Sequence, residues 1–235
     1  MQAAVAARTE RGLLVRAVRY ALSAARLATP QRLPLPTPCD GWDLRMLLHH
    51  VGDSMDALSE GLCTGFVGPW EPSGHDGPEP AGSGPGPDSD YPGPGPGPGP
   101  GWAATGCGPA GPGGPVSDLV QRAATLLCAC AAAGSAENRV AIGDRELTTS
   151  LLAMTGAVEI AVHGWDISVT CGGPGALPPG LASDLLPIAA LLASRGLRAG
   201  LFADPVPVTD LAGPDDRLVA FLGRRPLPVS PGGVT

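Results

Sequence analysis

Three ionisable residues interrupt an otherwise apolar stretch, "EIAVHGWDIS" at positions 159–168: Glu159, His163 and Asp166. On a helical wheel with Glu159 at zero, His163 falls near about 40° and Asp166 near about −20°, so the three share one stripe. A glutamate and a histidine four residues apart on a helix can both reach one metal ion. From this segment alone, a divalent-metal site is no better supported than a buried Glu–His ion pair or a stripe that faces a wet groove.

The residues beside this stripe argue against a solvent-facing helix. A surface helix has one apolar face and one polar face, whereas here apolar residues flank the polar stripe on both sides. A charged group in such surroundings needs a partner, a hydrogen bond or a metal ion. The flanking residues are Leu151, Met154, Val158, Val162, Trp165 and Val169 on one side and Ile160 and Ile167 on the other.

A second helical segment, which begins near Leu44, supplies a third candidate ligand. On its wheel His50 lies at about 110° from the centre of the apolar stripe and His49 at about 150°, so His50 borders the core and His49 points outward. One histidine from this helix with the glutamate and histidine of the other would give three N/O ligands and leave a fourth position open. That arrangement is typical of a catalytic divalent-metal site. His75 lies in a Pro/Gly-rich stretch and is not a ligand candidate.

Two motifs resemble a known family. The segment "TPCDGWDLRMLLHHVGDS" (37–54) resembles the "TPCxGWxxxDLLxHL" motif of the mycothiol-dependent maleylpyruvate isomerase family, within the DinB-like metal-binding superfamily. The segment "EIAVHGWD" (159–166) resembles its "ExxxHGWD" motif. The resemblance implies a four-helix bundle with a metal at one end, ligated by His50, Glu159 and His163, the residues that the wheels select. We expect Zn²⁺, with Ni²⁺ as an alternative.

The elements that must position these residues read as an all-α bundle of four or five helices. A short hairpin or extended connection is predicted in "NRVAIGDRELTTS" (138–150), and a brief helix after Asp215 or Asp216. The first helix is expected at about Ala3 to Ala28, and the second begins after an N-cap at Asp40 or Asp43. The third is expected at 116–134 with Ser117 as its N-cap, the fourth at Thr148 to Thr170, and the fifth at Leu181 to Arg195.

One region differs from the rest in composition. Gly and Pro, of which the chain has 35 and 28, are concentrated between about 67 and 115, where "PGPGPGPGPG" occurs and aliphatic residues are scarce. Such a segment cannot bury enough apolar surface to offset its ordering entropy, so we predict a disordered insertion. The predicted organisation is therefore a first half of the bundle (1–66), a flexible insertion (67–115), and a second half with a C-terminal helix and tail (116–235). The tail resembles that of an uncharacterised metal-binding branch of the family.

Charge and cysteine usage limit the partners. The chain has 22 acidic residues against 15 basic ones and a net charge of −7, which argues against nucleic acid or an anionic membrane as a partner. We find neither a signal peptide nor an apolar run of the roughly 20 residues that span a bilayer, so a cytoplasmic protein is expected, as a monomer or homodimer. The six cysteines lack paired spacing and are expected to be reduced.

In relatives the open metal position receives a low-molecular-weight thiol such as mycothiol. The resemblance therefore implies a divalent-metal-dependent thiol S-transferase or isomerase that acts on a small electrophilic substrate. Two alternatives remain open: a hydrolase or lyase that uses metal-bound water, and a non-catalytic metal-binding interaction protein. Asp166 is expected either to accept a hydrogen bond that orients a ligand imidazole or to be a solvent-exposed residue near the helix end.

Overall fold

The structure of the chain is a computed structural model, and it describes residues 2–68, 114–134, 138–143, 145–192 and 203–227, with side chains from Glu10 onward. Most of the insertion predicted at 67–115 lies outside the described residues. The end of the fifth predicted helix, 193–195, also lies outside them.

The described residues form a mostly helical structure, which confirms the predicted all-α DinB-like bundle. The helices are α1 (Gln2–Ala25), α2 (Leu44–Thr64), α3 (Gly114–Ala132), α4 (Thr149–Thr170), α5 (Pro179–Leu192) and α6 (Pro214–Phe221), and a 3₁₀ turn lies at Pro30–Arg32. Helix α1 packs along α4, and α2 packs against both α3 and α4, so these four helices enclose the core. Helix α5 contacts α4 and α6.

The predicted hairpin is present between α3 and α4. Strands β2 (Arg139–Ile142) and β3 (Arg145–Thr148) pair antiparallel. A two-residue strand, β1 (Phe66–Val67), adds to β2 in parallel. This third strand was not predicted, because two residues are too few to show the alternation of a strand. It ties the end of α2 to the hairpin that leads into α4.

The helix boundaries show which local predictions held. Of the two proposed caps for α2, Asp43 is the N-cap: its Oδ1 accepts a hydrogen bond from the backbone N–H of Met46 at 2.8 Å. Thr148 caps α4 in the same way through the N–H of Leu151. The prediction of Ser117 as a cap was wrong, since α3 begins at Gly114 and Ser117 already lies inside its first turn. Pro115 is compatible with a helix that begins at Gly114, because a backbone N–H in the first turn makes no intrahelical hydrogen bond and proline loses nothing by lacking one.

Helix α4 is the central element of the fold. Its residues on several sides are fully buried, including Ile160, Ala161 and Ile167. Gly164 lets α1 approach closely, because a Cβ added there would lie 3.0 Å from the Cα of Ala21. A helix buried on most sides leaves its polar residues dependent on protein partners or ligands.

Among the described residues, no helix has the length and apolarity that a membrane span requires.

Candidate metal centre

The structure brings the three predicted ligands together from two helices. Nε2 of His50 on α2 lies 3.4 Å from Oε1 of Glu159 on α4. The His50 and His163 rings are perpendicular, with centroids 5.0 Å apart. One ligand atom from each of His50, Glu159 and His163 lies within 4.8 Å of the others, and we call this set the first donor group. His49 is not part of it, and His75 lies outside the described residues.

Glu159 is held in place by a neighbour from α2. The hydroxyl of Ser54 donates a hydrogen bond of 2.6 Å to Oε1 of Glu159. Burial by itself raises the pKa of Glu159, but the hydrogen bond and charge of His50, the charge of His163 and the Ser54 hydroxyl outweigh it. The net pKa therefore lies below the ordinary value, so Glu159 is a carboxylate. Ser54 was not singled out from the sequence, because a serine on an amphipathic helix has no distinguishing pattern.

His163 is paired with Asp166, which is fully buried. Nδ1 of His163 lies 3.0 Å from Oδ2 of Asp166. Burial alone raises the pKa of Asp166, but the charge of Arg224 and the hydrogen bond from His163 lower it to about 2. An ionised carboxylate only accepts hydrogen bonds, so Nδ1 of His163 carries the proton and donates. The lone pair of this imidazole is therefore on Nε2, the state in which histidine binds metal ions.

The residue that neutralises Asp166 comes from the far end of the chain. Arg224, in the segment after α6, donates from Nε to Oδ1 of Asp166 at 3.3 Å and from Nη2 to Oδ2 at 3.0 Å. Its Nη1 donates to the carbonyl oxygen of Leu222 at 3.0 Å. The Arg224 side chain is only 12% exposed, so this bidentate pair is shielded from water. Sequence reasoning missed Arg224, because one arginine in an irregular tail has no periodic pattern.

Cys39 completes this cluster from the loop before α2. Its Sγ lies 3.4 Å from Oδ2 of Asp166, 3.9 Å from Nδ1 of His163 and 3.6 Å from Nη2 of Arg224. Burial, followed by the charge of Asp166, raises the pKa of Cys39 to about 12, so the sulfur is a thiol. The position of Cys39 was not predicted from the sequence, although it belongs to the "TPCDGW" motif.

Cys39, His163 and Asp166 form a second donor group, since their ligand atoms also lie within 4.8 Å of one another. The two groups differ in the state of their donors. In the second group both oxygens of Asp166 already accept hydrogen bonds, Oδ1 from Arg224 and Oδ2 from Arg224 and His163, and Cys39 is protonated. The first group offers two imidazoles and a carboxylate, which is the donor chemistry of an open zinc site. A divalent cation therefore fits the first group, and it does not fit the second while Arg224 is in place.

The comparisons with known proteins bear on this site. The family model for the mycothiol maleylpyruvate isomerase N-terminal domain matches residues 14–168, more than half of the chain. The chain belongs to this family. The match includes both donor groups but not Arg224. No curated protein and no solved structure matches the chain.

Outside the part matched by the family model, the segment after α6 reaches the site through Arg224. Within the matched part, Trp42 lies edge-on to His50, with ring centroids 4.8 Å apart. Trp42 is half-buried and packs against the His50 ring. In this mycothiol maleylpyruvate isomerase-type domain, the first donor group therefore contacts an aromatic ring through His50 and shares His163 with the second donor group.

The two described cavities lie away from the metal centre. A cavity of about 480 Å³ is bounded by the ends of α2 and α3 and by residues of β2, and one of about 290 Å³ lies between α1 and the start of α5. Neither is lined by His50, Glu159 or His163. The position of the cavities and the position of the metal-donor side chains thus indicate different functional sites in this family member. Donor chemistry is the better guide here, because the walls of the larger cavity contain no carboxylate or histidine.

Proposed function

We propose that this protein is a divalent-metal-dependent enzyme that uses a low-molecular-weight thiol of the mycothiol type. It transfers the thiol to a small electrophilic substrate, or isomerises that substrate through a thiol adduct. The observation that carries the proposal is the convergence of His50, Glu159 and His163, whose ligand atoms lie within 4.8 Å of one another. The membership of the mycothiol maleylpyruvate isomerase family supports the choice of thiol.

In this proposal His50, Glu159 and His163 hold the metal. Two nitrogens and one carboxylate oxygen suit zinc, with nickel as the alternative. Three protein ligands leave a coordination position for an exogenous molecule, whereas a structural zinc site takes four. When bound, the cation supplies Lewis acidity that favours the thiolate form of a thiol near neutral pH.

The residues around the three ligands hold the ligand side chains in states that suit metal binding. Asp166 holds the proton of His163 on Nδ1, so that Nε2 keeps its lone pair. Ser54 donates to one oxygen of Glu159 and limits the orientations of its carboxylate. The edge of Trp42 packs against the His50 ring. These contacts lower the cost of ordering three side chains around one ion.

The bonds that form and break in the proposed reaction are those of the thiol and the substrate. The thiolate sulfur forms a bond to one carbon of an activated double bond, the π bond breaks, and its electron pair moves to the activating group of the substrate. If this adduct takes up a proton and leaves intact, the reaction is a transfer. If the adduct rotates about the former double bond, the electron pair returns, the carbon–sulfur bond breaks with release of the thiolate, and the product is an isomer. With an alkyl halide, the sulfur displaces halide and the reaction is a transfer. Neither outcome requires a cysteine of the protein as nucleophile, which agrees with the high pKa of the Cys39 thiol.

The test combines metal analysis with a thiol requirement. Purified protein is analysed for bound metal, and its melting is measured with mycothiol in the presence and absence of zinc. We expect about one equivalent of metal and a rise in melting temperature with mycothiol only in the zinc-loaded protein. Activated alkenes and alkyl halides are then assayed with and without the thiol, with His163→Ala as the inactive reference. Zinc-dependent turnover without a thiol would replace this proposal with a hydrolase or lyase that uses water.

A further inference from the structure

The second donor group is a competing place for a metal ion next to the first donor group. It shares His163 with the first donor group, so the two sets compete for one imidazole. Cysteine, as its thiolate, histidine and aspartate are together a good donor set for zinc. Unless something prevents it, a soft divalent metal would have two adjacent places to bind.

The residue that lies at the second donor group is a cation. Nη2 of Arg224 is 3.0 Å from Oδ2 of Asp166 and 3.6 Å from Sγ of Cys39. It contacts two of the three donors that a metal ion would use there. The charge of the guanidinium also balances that of the buried Asp166 carboxylate.

We propose that Arg224 is a positioning residue that acts as a fixed cation at the second donor group, where it excludes metal from Cys39 and Asp166 and confines it to His50, Glu159 and His163. This inference rests on the proposed metal-dependent function. By holding both oxygens of Asp166, Arg224 keeps that carboxylate as an acceptor for Nδ1 of His163. The C-terminal segment, outside the part matched by the family model, thus determines which of the two donor groups binds the metal.

Two physical arguments support this assignment. A second cation next to a guanidinium is repelled, and the repulsion is strong where water is excluded. Arginine cannot be deprotonated in a protein, so its charge is permanent, and its planar fork matches the two oxygens of a carboxylate. The arginine is also committed to this role, because each of its three nitrogens already donates to the protein.

The test uses cobalt(II), which reports its ligands by its absorption spectrum. The full-length wild type, Arg224→Met, Arg224→Lys and the double variant Arg224→Met/Cys39→Ser are titrated with cobalt, and zinc affinity is measured by competition with a chromophoric chelator. Arg225→Met is the matched control, because Arg225 is the adjacent arginine and is exposed. Circular dichroism checks that each variant is folded.

We expect the wild type and Arg225→Met to bind one equivalent of cobalt without a thiolate-to-cobalt charge-transfer band. Arg224→Met should acquire that band, the double variant should lack it, and zinc affinity of Arg224→Met at the first donor group should fall by about 10–100-fold. Arg224→Lys keeps a cation but loses the fork, so the band should stay absent while affinity falls. This lysine variant remains informative if Arg224→Met does not fold.

The possible failures point to different conclusions. A wild type that binds no metal ends the proposed function, whatever Arg224 does. A wild type that binds one equivalent, together with an Arg224→Met protein of unchanged affinity and no charge-transfer band, overturns only the role of Arg224. A charge-transfer band in Arg224→Lys, or unchanged zinc affinity in that variant, also contradicts this role.

Discussion

Nδ1 of His163 lies 3.0 Å from Oδ2 of Asp166, three residues further along the same helix. This spacing lets a single helical turn carry both a candidate metal ligand and the acceptor that sets its tautomer. Asp166 in turn pairs with Arg224 from the C-terminal segment. The candidate ligand is therefore linked to a part of the chain that lies outside the four-helix core.

Replacement of either histidine of the first donor group should abolish stoichiometric zinc binding. His50→Ala and His163→Ala each leave only two of three protein donors, too few to hold zinc against a competing chelator. Elemental analysis after gel filtration measures the bound metal. His49→Ala is the matched control, since His49 neighbours His50 on α2 but is not in either donor group. Equal loss in all three variants, or loss in none, would show that the ligand assignment is wrong.

Replacement of Asp166 should affect both stability and metal affinity. Asp166→Asn leaves the guanidinium of Arg224 buried without its counter-charge, which is expected to cost about 3–5 kcal/mol in the free energy of unfolding. It also removes the ionised acceptor for Nδ1 of His163, so zinc affinity should fall by about 10–100-fold. Urea unfolding and chelator competition measure the two effects.

The control for Asp166 is another arginine–aspartate pair of this protein. Asp184 pairs with Arg16 at 2.6 Å, but both side chains are about half exposed. Asp184→Asn should therefore cost at most about 1 kcal/mol, because water screens the pair. Similar losses in the free energy of unfolding for Asp184→Asn and Asp166→Asn would contradict the conclusion that burial makes the Asp166–Arg224 pair the more stabilising of the two.

The sequence was informative where the functional residues follow a helical period. Glu159, His163 and Asp166 stand out because their stripe is bounded by apolar residues, and His50 stands out from His49 by its angle to the apolar stripe. The structure places the four residues within one connected site. The same periodicity predicted α4 to within one residue at its start, since Thr148 is the cap and not the first helical residue.

The residues that sequence reasoning missed all act through contacts that are distant along the chain. Arg224 meets Asp166 from 58 positions away, and Cys39 meets it from 127. A helical wheel compares residues within one element and carries no information about which loop or tail packs against that element. Ser54 was missed for a related reason, because its hydroxyl acts only through Glu159 on another helix.

Ser54 provides a milder test of the first donor group. Ser54→Ala removes the hydroxyl that donates to Glu159, and a hydrogen bond to a charged group is worth about 1.5–3 kcal/mol. Zinc affinity should fall because the carboxylate is less restricted, and calorimetric titration measures this change. Ser59→Ala is the control on the same helix, since its hydroxyl donates to the backbone oxygen of Met55 and Ser59 is in neither donor group. Weaker zinc binding in Ser59→Ala but not in Ser54→Ala would contradict this role of Ser54.

The Pro/Gly-rich segment is predicted to be dispensable for the core. Deletion of residues 72–112 should leave the melting temperature nearly unchanged, because the removed sequence is poor in aliphatic residues. Scanning calorimetry of the shortened chain measures this. A large cooperative destabilisation would show that the segment belongs to the folded core.

The packing of α1 against α4 should limit which residues the site can tolerate next to His163. A Cβ at Gly164 would lie 3.0 Å from both the Cα of Ala21 and the Cδ1 of Tyr20. Because the backbone of α1 must move to relieve this contact, Gly164→Ala should cost about 1–3 kcal/mol in the free energy of unfolding. Gly12→Ala is the matched control: it has no atom within 4 Å of the added Cβ, so helix propensity should stabilise the protein by about 0.5–1 kcal/mol. Urea unfolding distinguishes these opposite signs, and a neutral Gly164→Ala would show that α1 is not held as closely to the metal-bearing helix as its packing indicates.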